Sequence, residues 1–227
     1  EIKDKIARQQ VYNDMNLPNS TKAMLLYGPP GTGKNTFTYA LAKMFPDAKL
    51  FEMDMTKIVA PYYGVPEKNL QNSTNYALAL ANELKQKNKK LIVFLDEIDR
   101  VIMQDSGSGS KHSNDILTEF KRCFNLLKNH DNITIIGATN KEIDSKLAQK
   151  LGTGVLDEAM KNRFGDKIRV ERPTAEALQS AICEQFRSAK KIDKSLTEPN
   201  KNLLEFCKII HGDKHEFSFR TLQDNIF

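Results

Sequence analysis

Short, unbroken apolar runs alternate with stretches in which apolar residues return every three or four positions. The runs Ala23–Tyr27, Leu50–Met55, Leu91–Leu95 and Ile133–Ala138 each predict a strand. Between them, Thr36–Phe45 reads as a helix, as do the stripes Leu70, Ala77, Leu80, Leu84 and Ile116, Phe120, Cys123, Leu127. Lys167–Val170 is a candidate closing strand. Strand and helix in repetition predict an α/β fold, a parallel sheet with helices on both faces. Strands buried on both faces are continuously apolar, as Leu91–Leu95 is.

The pattern changes at both ends. Residues 1–20 read as a charged helix running into the polar turn Asn16–Ser20. After Arg172-Pro173 the strand signals stop, and the stripes Leu178, Ile182, Phe186 and Leu203, Phe206, Cys207, Ile210 predict helices. The expected organisation is a linker or helix over 1–20, an α/β domain over 21–172 and a small helical domain over 173–227. The chain starts at Glu1 and stops inside the patterned stretch Phe219, Leu222, Ile226. It therefore reads as a fragment of a longer polypeptide, with the helical domain truncated. Ser106-Gly-Ser-Gly-Ser110 has the composition of a flexible loop.

Composition narrows the function classes. At 227 residues and 40% hydrophobic, the chain is long enough for a substantial core and one to two domains. Its 34 basic and 29 acidic residues leave a net charge of +5, spread along the chain. A nucleic-acid binder concentrates its positive charge, so nucleic acid is not an expected partner. The cluster Lys85, Lys87, Lys89, Lys90 falls at the end of a predicted helix, where cations complement the helix dipole. No apolar run is long enough to span a membrane. Three distant cysteines, Cys123, Cys183 and Cys207, argue against a disulfide framework and fit a reducing compartment, here the cytoplasm. The four histidines show no metal-binding spacing with them.

Two motifs carry chemistry. Gly28-Pro29-Pro30-Gly31-Thr32-Gly33-Lys34 follows one predicted strand and opens a predicted helix, the context a phosphate-binding loop requires. Glycines let successive N–H groups turn inward, the helix N-terminus adds partial positive charge, and Lys34 reaches the terminal phosphates. The next residue departs from the pattern GxxxxGK[ST]. Asn35 stands where a hydroxyl would meet Mg²⁺. An amide oxygen is a hard ligand, but Mg²⁺ demands tight octahedral geometry. Thr36 is also a cofactor-binding candidate, although it points elsewhere on the helix. The change is expected to spare nucleotide binding and to put efficient hydrolysis in question.

The second motif, Leu91-Ile-Val-Phe-Leu-Asp96-Glu97-Ile-Asp99, ends an apolar strand in carboxylates. Ligands of parallel sheets sit at that end. Asp96 is the candidate holder of Mg²⁺ or its waters, with Asn35 beside it, and Glu97 the candidate general base.

Together these motifs resemble those of AAA+ ATPases, and within that group the protein-remodelling AAA type, over about residues 20–227. Ile135-Ile-Gly-Ala-Thr-Asn140 resembles the family's sensor 1 strand, which implies that Asn140 helps to orient the attacking water. Leu156-Asp-Glu-Ala-Met-Lys-Asn-Arg163-Phe164 resembles the LDxAxxxRF segment, whose arginine enters the neighbouring subunit's nucleotide site. Arg163 is thus the candidate arginine finger, and Met160 stands where many relatives carry a second arginine. Phe217-Ser-Phe-Arg220 resembles the start of the sensor 2 helix, which would place Arg220 on the nucleotide. Pro61-Tyr62-Tyr63-Gly64-Val-Pro-Glu67-Lys68 resembles the substrate pore loop, with Tyr62 and Tyr63 gripping polypeptide and Gly64 as pivot. Asp105–Ser113 falls where relatives place a second pore loop.

The resemblance implies a five-stranded parallel sheet with a helical lid, ATP or ADP with Mg²⁺, and a ring of identical or homologous subunits, usually a hexamer. It also implies a protein unfoldase or chaperone acting on protein substrates. Two other readings are open at this stage. One is a ring subunit that binds nucleotide but hydrolyses it poorly because of Asn35. The other is a DNA-directed ATPase of the clamp-loader kind, against which the tyrosine pair and the modest charge weigh.

Overall fold

The computed structural model describes residues 22–59, 65–102, 111–150, 156–174, 176–177, 179–180 and 183–184. The expected helix over 1–20, the tyrosines and glycine of the pore segment, the loop 105–110, the helical stripes beyond Arg172 and Arg220 lie outside the described residues. The chain divides into two compact units, one of residues up to Gly28 with Lys34–Arg169, the other of Pro29–Gly33 with residues from Val170 onward.

The first unit alternates strand and helix. Its elements are β1 (Ala23–Tyr27), α1 (Lys34–Met44), β2 (Ala48–Asp54), α2 (Met55–Ile58), α3 (Val65–Gln86) and β3 (Lys90–Asp96). They continue with α4 (Asp99–Ile102), α5 (Lys111–Asn129), β4 (Ile133–Thr139), α6 (Ser145–Lys150), α7 (Glu158–Lys161) and β5 (Asp166–Arg169). The five strands form one parallel sheet in the order β2-β3-β4-β1-β5. The register sets Tyr27 level with Thr139, Leu95 with Gly137 and Asp54 with Asp96, so the C-terminal ends of four strands share one edge.

Side chains of a strand alternate between faces, and both faces here are covered. Ala23, Leu25, Leu91, Val93, Leu95, Ile133 and Ile135 face the larger core, into which α3 sends Leu70, Ala77, Ala81 and Leu84, and α5 sends Phe120, Phe124 and Leu127. The intervening Met24, Leu26, Ile92, Phe94 and Ile136 are also buried, and α1 packs against β2, β3 and β4. Tyr39 of α1 meets the Phe94 ring edge-on at 6.4 Å. Burial on both sides is why the central strands are mostly apolar, whereas the edge strands β2 and β5 leave most of their positions partly exposed or exposed.

Several element bounds differ from the sequence-based expectation, for local reasons. The second strand ends one residue early because the Asp54 carboxylate caps α2, accepting from the Thr56 N–H at 2.9 Å. The first helix begins at Lys34, two residues before the expected start. In α3, Ala81 is fully buried and Leu80 only partly, so the stripe turns slightly from the one expected. α5 already starts at Lys111, inside the stretch 105–113 expected to be a loop. Lys85 and Lys87 pair with Asp131 at 2.5 Å and Glu83 at 2.6 Å, both on the surface. Cys123 is buried in the core and free.

Gly137 fixes how the chain after α7 docks on the sheet. A Cβ at this position would stand 2.9 Å from the Phe164 ring and 3.3 Å from Ile98 Cδ1. Phe164 is 1% exposed and meets Phe124 edge-to-face at 4.9 Å, so it has little room to move. Gly137→Ala is expected to destabilise the protein by about 1–3 kcal/mol, the cost of overpacking a filled core. Urea unfolding checks this, and an unchanged midpoint would show that Phe164 yields freely.

Candidate functional site

The loop between β1 and α1 takes its shape from glycine. Gly28 (φ 139), Gly31 (φ 72) and Gly33 (φ 91) adopt positive φ, which residues with a Cβ rarely accept. Within it the Thr32 hydroxyl donates to the Pro29 carbonyl at 3.1 Å. Lys34, the first residue of α1, is 7% exposed, and its ammonium donates to the Gly28 carbonyl at 3.0 Å. Burial pushes its pKa down to about 8, against the pull of the Asp96 and Asp99 carboxylates. A buried cation at the start of a helix favours an anion. Thr36 is exposed on α1, while Thr38 is buried and donates to the Lys34 carbonyl at 3.1 Å.

The carboxylates stand where β3 ends. Asp96 is half-buried, and burial holds its carboxyl above the usual range although two donors oppose this. The donors are the Asn35 side-chain amide, 2.7 Å from Oδ2, and the Glu97 backbone N–H, 2.9 Å from Oδ1. The first of these bonds spans 61 positions and joins the helix after the glycine loop to the acidic turn. Glu97 has φ 50, an uncommon value for a residue with a side chain. Backbone of this kind costs free energy and clusters at functional sites. The Glu97 carboxylate accepts from Arg100 Nε at 3.4 Å.

For Mg²⁺ the donor set is mixed. Asp96 offers hard oxygen at the ligand edge of the sheet, but Asn35 turns its N–H rather than its carbonyl oxygen toward it. The Asn35 carbonyl oxygen remains the atom of that side chain that a metal would meet. Among the described residues no group of three or more His, Cys, Asp or Glu is placed to hold a metal ion.

Two residues to which the sequence assigned no role tie the acidic turn to β4. The Thr139 hydroxyl donates to Asp99 Oδ1 at 2.8 Å, and Ile98 N–H donates to the Ala138 carbonyl at 3.1 Å. The only signal for Thr139 was a polar residue closing an apolar strand. Asn140 follows it directly and is exposed.

Arg163 lies in the turn between α7 and β5. Its Nη1 donates to the Ala159 carbonyl at 2.8 Å and its Nε to Asn125 Oδ1 at 3.3 Å. Lys128 of α5 donates to the Arg163 carbonyl at 2.6 Å. The preceding helix is capped by Asp157, which accepts from the Met160 N–H at 2.8 Å and pairs with Lys121 at 3.2 Å. Met160 is fully buried, which explains why this position carries no arginine. The structure thus brings Lys34, Asn35, Asp96, Glu97 and, through Thr139, Asn140 to one edge, and ties Arg163 to α5 and α7 instead.

Comparison with known proteins bears on the family and the fold. The model of the ATPase family associated with various cellular activities (AAA) matches residues 24–172. Mouse vacuolar protein sorting-associated protein 4B is 31% identical over 157 residues, 69% of this chain and 31% of that protein. Cell division protein C of Sulfolobus acidocaldarius is 28% identical over 194 residues, 84% of this chain and 46% of that protein. Spastin of Naegleria gruberi is 27% identical over 198 residues, 86% of this chain and 34% of that protein. The chain therefore spans between 31% and 46% of the length of these relatives. The crystal structure of the FIGL-1 AAA domain in complex with ADP shares the fold, with TM-score 0.63 and 24% identity over 94% of this chain and 61% of that one. With the family model running from the first strand to the residues just past the last, across both chemical motifs, the chain belongs to the AAA family of ATPases.

Proposed function

We propose that the chain binds ATP and ADP at the C-terminal edge of its sheet and hydrolyses ATP, as one subunit of a protein-remodelling ring. The observation that carries this reading is the convergence of Lys34, Asn35, Asp96 and Glu97 at that edge, held by the 2.7 Å bond between Asn35 and Asp96. Open parallel sheets take their ligands there. The N–H groups of Gly31, Thr32 and Gly33 and the start of α1 cradle the phosphates, and Lys34 neutralises their charge. Glu97 accepts the proton of the attacking water, and Asn140 orients that water. Arg163 serves the site of the adjacent subunit, where it stabilises charge on the transferred phosphoryl group.

Ring assembly with other copies or homologous subunits, hexameric in form, rests on the family likeness. So do protein substrates, the pore role of Tyr62, Tyr63 and Gly64 and the nucleotide contact of Arg220. A DNA-directed role gains no support, since Lys85 and Lys87 spend their charge on Asp131 and Glu83.

Lys34→Ala tests the site. ADP affinity measured by calorimetry is expected to fall roughly 10- to 100-fold or more, the worth of one or more charge-assisted contacts. Unchanged affinity in a folded variant would overturn the phosphate-loop reading.

A further inference from the structure

We infer that Thr139 is a positioning residue for hydrolysis, whose hydroxyl holds the turn carrying Glu97 and the turn carrying Asn140 in one geometry. The inference rests on the nucleotide-hydrolysing reading above and concerns the chemical step of that site.

The geometry centres on one atom. Thr139 closes β4 and is 1% exposed, so its hydroxyl is cut off from bulk solvent. Thr139 Oγ1 donates to Asp99 Oδ1 at 2.8 Å and accepts from the Lys141 N–H at 3.1 Å. An ionised carboxylate only accepts, which directs the hydroxyl proton to Asp99 and leaves a lone pair for Lys141. The first bond spans 40 positions and reaches the acidic turn. The second closes over Asn140, joining the residues on either side of it. The register sets Thr139 level with Tyr27, the residue before Gly28, so this atom stands at the strand end from which the phosphate loop departs.

Both turns depend on such a hold. Glu97 has φ 50, a conformation that costs free energy and persists only where the surroundings fix it. On one side its N–H donates to Asp96 Oδ1 at 2.9 Å. On the other side the Ile98 N–H donates to the Ala138 carbonyl at 3.1 Å, and Asp99 accepts from Thr139. The Ile98 bond is made by backbone alone, whereas the Thr139 bond is made by side chains and can be removed by substitution. Asn140 is exposed, and the bond between its two neighbours restrains the backbone around it. In the proposed reaction Glu97 and Asn140 act on the same water. An error in their spacing therefore lowers the rate rather than nucleotide affinity, and a misplacement of about 1 Å can cost roughly 100-fold.

The test compares Thr139→Val, which removes the hydroxyl and keeps the shape, with Thr139→Ser, which keeps the hydroxyl. Hydrolysis by the assembled protein is measured at saturating ATP, ADP affinity by calorimetry, and the backbone by amide hydrogen exchange. Thr139→Val is expected to lower the rate roughly 10- to 100-fold with ADP affinity retained, the worth of one bond to a charged group. Exchange is expected to speed up at Ile98 and Lys141 in this variant, and Thr139→Ser is expected to recover both rate and protection. Should Thr139→Val fail to fold, Asp99→Ala breaks the same bond from its partly exposed end and is expected to show the same loss of rate. If both variants fold, combining them is expected to cost no more than either alone, since they remove one shared interaction. Rates in Thr139→Val and Asp99→Ala equal to the wild type overturn the inference and leave the hydrolytic reading standing. So does a Thr139→Ser variant as slow as Thr139→Val, or a Thr139→Val variant that loses ADP affinity as steeply as rate. A wild-type protein that neither binds ADP nor turns over ATP overturns both readings.

Discussion

Arg163→Ala is expected to lower ATP turnover of the assembled protein by about 10³- to 10⁵-fold, while the isolated subunit binds ADP as before. The side chain makes its hydrogen bonds to Ala159 and Asn125 at the surface, and the acidic turn holds none of them. Neither bond joins it to Lys34, Asp96 or Glu97, so its removal is expected to leave them in place. What holds it in position is the packing behind it. Phe164 is locked between Gly137 and Phe124, and Lys128 clasps the Arg163 carbonyl at 2.6 Å. A finger that acts on a neighbour also makes specific activity rise with protein concentration in the wild type. Steady-state hydrolysis over a dilution series checks both points. Activity that neither depends on concentration nor responds to the substitution would refute the role.

The second large effect is expected at Glu97. Glu97→Gln removes the proton acceptor and keeps shape and hydrogen-bonding length, so turnover is expected to drop by about 10²- to 10⁴-fold with nucleotide affinity retained. The variant must still accept φ 50 at this position, which costs glutamine about what it costs glutamate. Folding stability is therefore expected to be unaffected, and a loss of rate reports chemistry. Single-turnover hydrolysis with calorimetric ADP binding on the same preparation makes the measurement. Equal rates in the variant and the wild type would remove the general-base role.

Much of this protein was legible in its sequence because the physics involved is local. A strand buried on both faces is mostly apolar, as β1, the Leu91–Leu95 run of β3 and, apart from Thr134 and Thr139, β4 are. The edge strands face solvent in part, so their pattern is diluted and their bounds shift, as at Asp54 and Asp166. The glycine loop was readable because positive φ at Gly28, Gly31 and Gly33 is a property of single residues. The acidic turn was readable because Asp96 and Glu97 directly follow the apolar run that becomes β3.

Contacts between distant segments carry no such local mark. Nothing near Asn35 announces that its amide would donate to a carboxylate 61 positions away. The same holds for Thr139 on Asp99, for Phe164 against Gly137, and for Asn125 and Lys128 around Arg163. Each depends on the parallel order β2-β3-β4-β1-β5, which sets β4 between the strands that end in the glycine loop and the acidic turn. By itself the sequence determined which residues are chemically capable, because capability belongs to side chains and short spacings. Which atom of Asn35 meets Asp96, and which helix holds Arg163, was decided only by the tertiary structure, because those choices depend on strand order and register.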